Sequence, residues 1–188
     1  MFNILTDELR YSYNNLEIET DFRCVLMYDR IVKNENLNEN DKIIEIINLF
    51  FPTYDGSVPI QELFDNIKDF IHRGKEIEEG EDDESTPSFD FNVDNELIFS
   101  AFLQVYNIDL VEIEYLHWWK FLSLFNGLPE GNKLTWVIGK RLEKIPKQTK
   151  YNVSYINNLR KIKEAYSLKK TKKLTLGEQI NDIMKMWS

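Results

Sequence analysis

Apolar residues recur along most of this chain every three or four positions, the period of helices that bury one face. Phe22, Val25, Leu26 and Val32 form one such stripe behind Asp21, whose carboxylate suits a helix N-cap. A second stripe follows Asn40, with Ile43, Ile46, Ile47 and Phe50, and Pro52 stops it. A third helix begins near Ser57 with Pro59 in its first turn. Its stripe is Ile60, Leu63, Phe64, Ile67, Phe70 and Ile71. Asn92 or Asp94 opens a fourth, carrying Leu97, Ile98, Ala101, Phe102 and Val105. A fifth runs from Asp109 to about Asn126, where Gly127 and Pro129 end it. Shorter helices are expected at 132–142 and 150–166, the latter patterned by Val153, Ile156, Leu159, Ile162, Lys163 and Tyr166. Residues 10–19 break the helical period. Tyr11 and Tyr13 alternate with Leu16 and Ile18 about Asn14-Asn15, a pair able to take the positive φ of a tight hairpin turn. Two strands alone are marginal, so this hairpin must pack on something else.

The pattern therefore predicts a mainly α fold: a compact helical domain of about six to seven helices over 1–168, with a small N-terminal β-hairpin. A flexible acidic linker interrupts it at about 76–88. Glu76, Glu78, Glu79, Glu81, Asp82, Asp83 and Glu84 repel one another and cannot bury a face. These carboxylates and Gly80 miss the register of a calcium loop. Residues 169–188 form an appendage: a basic tether with Lys169, Lys170, Lys172 and Lys173, then an amphipathic helix. That helix opens on a capping box, Thr175-x-x-Glu178, and aligns Leu176, Ile180, Ile183, Met184 and Trp187.

The expected fifth helix is apolar over most of its circumference, as a central helix is. Val111, Tyr115, Trp118, Leu122 and Phe125 make one stripe, and Leu110, Ile113, Phe121 and Leu124 a second beside it. On that wheel Trp119 falls on the polar side, with Glu112, Ser123 and Asn126. It either packs in the core or covers an edge of the fold, as most tryptophans do, or it marks an interface, where tryptophan is enriched.

Composition adds limits. The chain has 188 residues, 43% of them hydrophobic and 13% aromatic, enough for a real core. One cysteine, Cys24, excludes an intramolecular disulfide and a thiolate metal cluster. No apolar run is long enough for a membrane span, and the first ten residues do not read as a secretory signal. Charge is polarised. Residues 1–94 hold 8 Lys+Arg and 23 Asp+Glu, a net of −15, whereas residues 95–188 hold 15 and 9, a net of +6. Such polarity either neutralises within one fold or favours head-to-tail self-association. Non-specific nucleic-acid binding is disfavoured, because no aromatic lies within the lysine cluster at 169–173 to stack on a base.

Candidate chemistry is thin. Asp69-x-x-His72 and Glu114-x-x-His117 have the i, i+3 spacing used in dinuclear iron bundles, but one pair carries Asp and no further buried Glu is evident. Cys24 lies on a packing face and reads as a structural thiol. No phosphate-binding glycine loop or nucleophile elbow is present. No catalytic residue, metal site or cofactor is expected, and the chain does not read as an enzyme.

Several segments resemble the phage "gene product fifteen" family, found in tail modules of phages and prophages of Gram-positive bacteria. They are the opening Asn3-Ile4-Leu5-Thr6-Asp7, Asp21-Phe22-Arg23 after the hairpin, and Phe89-Asp90-Phe91 with Asp94. The strongest is Ala101-Phe102-Leu103-Gln104-Val105-Tyr106, then Ile108-Asp109-Leu110 and Leu116-His117-Trp118-Trp119-Lys120-Phe121. Leu124, Gly127-Leu128-Pro129, Lys140-Arg141 (the family's "YR") and Tyr166-Ser167-Leu168 continue it to residue 168. The acidic linker and the tail 169–188 depart from the family pattern.

The resemblance implies a place in the tail gene block, near the tube and tape-measure genes, in the position of lambda-type tail assembly chaperones. The expected function is a tail assembly chaperone or chaperone partner working in the host bacterial cytoplasm. Expected partners are the tape-measure protein and either the tail tube protein or a companion chaperone, with self-association possible and neither nucleic acid nor membrane involved. The alternative is a structural component of the mature phage tail. Helix-in-groove binding uses anchors at i, i+3/i+4 and i+7. Leu116 and Trp119 on the domain, and Ile180, Ile183, Met184 and Trp187 on the terminal helix, are the expected contacts.

Overall fold

A computed structural model describes residues 3–9, 12–72 and 88–168. The acidic run at 76–84 and the appendage 169–188 lie outside the described residues. Among those described, the order is β1 (Ser12–Tyr13), β2 (Leu16–Glu17), α1 (Phe22–Val32), α2 (Glu39–Phe50), α3 (Ile60–His72), α4 (Asn95–Tyr106), α5 (Trp118–Asn126), α6 (Lys133–Leu142) and α7 (Val153–Ala165). The mainly α expectation, with one small hairpin, is borne out. The described residues fall into two compact units, one of residues 3–9, 12–72 and 114–124, the other of 88–113 and 125–168.

The first unit begins with the hairpin. Asn14 and Asn15 take φ of 45° and 64°, the left-handed values that a two-residue turn needs, and Tyr13 pairs with Leu16 across it. Leu16 and Ile18 are buried. The Glu19 amide donates to the Phe50 carbonyl (2.8 Å), which ties the hairpin to the end of α2. The Asp21 carboxylate accepts from the Arg23 amide (2.9 Å) and so caps α1 as expected. Asn38, two residues before the expected start, caps α2 by accepting from the Asp41 amide (2.9 Å). Tyr28, Ile43, Ile46, Phe50, Leu63, Phe64, Ile67 and Phe70 form the core. Tyr28 meets Phe50 edge-on, and Phe50 meets Phe70 likewise.

The expected helix from Asp109 is a correction. Asp109 does accept from the Val111 and Glu112 amides, but it closes only a turn. Farther along, the backbone pairs with the segment before α1 instead. The Phe22 amide donates to the Leu116 carbonyl (2.9 Å), and the Trp118 amide to the Thr20 carbonyl (2.8 Å). The Leu116 amide donates to Asp21 Oδ2 (2.9 Å). These long-range partners satisfy groups that a helix would satisfy locally, and α5 starts only at Trp118. Glu114 and His117 therefore do not share a helix.

In the second unit α4 packs on α6 and α6 on α7. Ile98, Ala101, Phe102, Leu134, Val137, Ile156 and Leu159 supply the core. Phe89, Phe91 and Phe125 cluster with ring centroids 4.8–5.6 Å apart. Asn107 ends α4 in the left-handed conformation (φ 54°), and its amide reaches back to the Leu103 carbonyl.

Candidate functional site

The block Leu116 to Phe121 carries the densest aromatic chemistry of the first unit, and it faces inward. Trp118 and Trp119 are both buried. Trp118 Nε1 donates to the Ile71 carbonyl (3.0 Å) and Trp119 Nε1 to the Phe70 carbonyl (2.6 Å). Carbonyls in a last helical turn lack intrahelical partners, so the adjacent tryptophans together close the C-terminal end of α3. Trp119 stacks on Phe70 (5.6 Å). Trp118 stacks on Phe121 (5.6 Å), which stacks on Phe22 (4.8 Å). His117 is fully buried, and its Nδ1 accepts from the Trp119 amide (3.1 Å), capping α5 from the side chain.

The placement of Trp119 on an outward, polar side is thus overturned. That placement carried the helical register of residues 110–117 through to 126, and those residues are not helical. Leu116, the other expected contact on the domain, is also buried, with 7% exposure. Neither side chain offers a free surface. Ile180, Ile183, Met184 and Trp187 lie outside the described residues.

The second unit contains a charged lock that no expectation assigned. Arg141 and Asp94 are buried. Arg141 Nη1 donates to Asp94 Oδ2 (2.6 Å) and Nη2 to Oδ1 (2.7 Å), a bidentate pair. Arg141 Nε donates to the Tyr166 carbonyl (2.7 Å), and Nη1 also reaches the Ser88 carbonyl (3.2 Å). The Asp90 amide donates to Asp94 (3.0 Å), and Lys163 donates to the Arg141 carbonyl. One guanidinium therefore joins the chain entering at Ser88, the start of α4, α6 and the end of α7. Asp94 stands at the N-cap of α4 but makes no side-chain cap, because its carboxylate is turned to Arg141. A signal for this existed: Leu134, Val137 and Arg141 fall at i, i+3 and i+7, so the arginine sits on the buried stripe of α6.

On the outer side of α6, Lys133, Trp136, Lys140 and Glu143 share one face at helical spacing. Lys133 Nζ lies 4.2 Å from the Trp136 ring centroid and 5.1 Å from that of Tyr166. Lys140 pairs with Glu143 (2.7 Å), and Tyr155 of α7 donates to the same carboxylate. The hydrogen bond from Lys140, then that from Tyr155, holds the Glu143 carboxyl below its ordinary value, and the Glu143 partner raises Lys140 and Tyr155. Trp136 and Tyr155 remain 39% and 47% exposed. Along this face lysines alternate with partly exposed aromatic rings.

Cys24 is buried, and its Sγ contacts the Leu49 carbonyl (3.5 Å). Burial above all, then the Glu19 and Asp21 carboxylates, push its thiol far up, against thiolate formation. Among the described residues no three His, Cys, Asp or Glu side chains gather where a metal ion could bind. No described helix is long and apolar enough to cross a membrane.

The sequence profile of the family described as Bacteriophage Gp15 protein matches residues 5–168. The chain belongs to that bacteriophage family, as the resemblance implied. No curated protein and no solved structure matches the chain.

Proposed function

We propose that this phage protein is a tail assembly chaperone, or the partner of one, which binds the tape-measure protein and helps recruit tail tube subunits in the host cytoplasm. The observation that carries the reading is the family match over residues 5–168, combined with the place in the tail gene block that the family resemblance implies. Helical units with exposed aromatic and aliphatic side chains suit recognition of helical segments, and long tape-measure proteins supply many of those. Leu116 and Trp119 drop out as contacts because both are buried. The contacts proposed here are the terminal anchors Ile180, Ile183, Met184 and Trp187.

Mass spectrometry of purified phage particles tests the reading against a structural role. A chaperone is released on assembly, so the chain is expected in infected-cell lysate and missing from mature particles. A stoichiometric amount in the particles would instead make it a component of the tail.

A further inference from the structure

We propose that the α6 face built on Lys133, Trp136 and Lys140 docks on the exposed face of α2 in a second copy of this chain. Residues 133–168 carry nine Lys+Arg against two Asp+Glu, a net of +7. Within that segment Arg141 is buried against Asp94 and Lys140 pairs with Glu143, so Lys133 is the cation this face offers to a partner. Three of the charges lie next to aromatic rings, in the pairs Lys133–Trp136, Lys140–Tyr155 and Lys150–Tyr151. The face therefore asks for a partner that is acidic and partly apolar. This chain carries one. On α2, Asp41, Ile44, Glu45 and Asn48 share the side opposite the buried Ile43, Ile46, Ile47 and Phe50. Ile44 is 58% exposed between two carboxylate-bearing positions. Glu45 has no ion pair among the described residues, and neither has Lys133.

The two faces are complementary in kind. Each sets an apolar side chain three positions after a charged one, Trp136 after Lys133 and Ile44 after Asp41. Docking would cover Trp136 and Ile44 and set lysine ammonium groups against carboxylates. Because a different surface is used on each copy, the contact is head-to-tail. Two helical faces of about two turns bury well under about 1,000 Å², so the contact is weak and transient, and salt screens it.

Sedimentation of the full chain tests this. The average mass is expected to rise toward about 100 µM protein at about 0.05 M salt and to fall back at about 0.5 M salt. Lys133→Glu and Glu45→Lys, both at exposed positions, should each weaken association by roughly threefold to tenfold. The two changes combined in one chain restore an opposite-charge pair and should return association toward the original. A strictly monomeric chain overturns the proposal. So does association indifferent to both changes, or loss without rescue in the double variant. A monomeric chain shifted only by an added acidic peptide or single-stranded oligonucleotide also overturns it, and gives the α6 face to another occupant.

Discussion

Trp119 shows how one side chain can read as surface and serve as core. Its indole fills space against Phe70 and satisfies that residue's carbonyl at the end of α3. Trp119→Ala removes both effects and should cost about 3–5 kcal/mol of stability, as large aromatic truncations in cores do. Trp119→Phe keeps a ring but leaves the carbonyl without its donor, for about 1–3 kcal/mol. Urea denaturation of both variants checks this. A loss below about 1 kcal/mol for the alanine would argue for an outward role. His72 makes a pH prediction at the same scale. Partial burial, and secondarily Lys68, hold its pKa below the ordinary 6.5. Its Nε2 is buried without a hydrogen-bond partner among the described residues. The unfolded chain therefore binds this proton more readily than the folded one. The stabilising effect of a neutral His72 is present above pH 6.5 and is lost as pH falls through 6.5 toward the lower folded value. His72→Gln should flatten the pH dependence of stability in that window, read from denaturation midpoints. An unchanged slope would contradict the assignment.

At the scale of elements, the second unit hangs on Asp94 and Arg141. Truncating one partner leaves a buried charge unpaired, so Arg141→Met should cost about 3–5 kcal/mol. Removing both charges, as Asp94→Leu with Arg141→Met, should recover part of that loss, because two desolvated ions are costly to hold. Denaturation of the single and double variants measures the coupling, and additive losses would show that the pair does not act as a unit. The pair was half legible from the sequence. Arg141 falls on the apolar stripe of α6, but its partner lies 47 positions away, a separation that no local pattern encodes. The cap at Asp21 and the Asn14-Asn15 turn were legible, because a few neighbouring residues decide them. The start of α5 was not. Residues 110–117 keep an apolar period that helix and extended chain can both use, and pairing with Thr20 and Phe22 decides between them. That one long-range pairing also turned Trp119 from an expected contact into a core residue.

For the whole molecule, the apolar periods were enough to set the fold class, since six of the seven helices among the described residues start close to where those periods place them, α5 excepted. The grouping of the described helices into two compact units was not legible. Periodicity says which faces are buried and nothing of which helices share a core. Charge polarity also acts at this scale. The described basic surface concentrates on α6 and α7, and the acidic face of α2 belongs to the other unit. The proposed association between copies should therefore respond to salt.

In the role proposed above, this bacteriophage Gp15 family member would keep a tape-measure protein soluble before the tail forms. Co-expression of tape-measure fragments with and without the full chain, followed by pulldown on the chain, measures that directly. At least one helical fragment is expected to be soluble and captured only when the chain is present, and to be released when Ile180, Ile183, Met184 and Trp187 are replaced together by Ser. Fragments equally soluble without the chain, and none retained on it, would contradict this role.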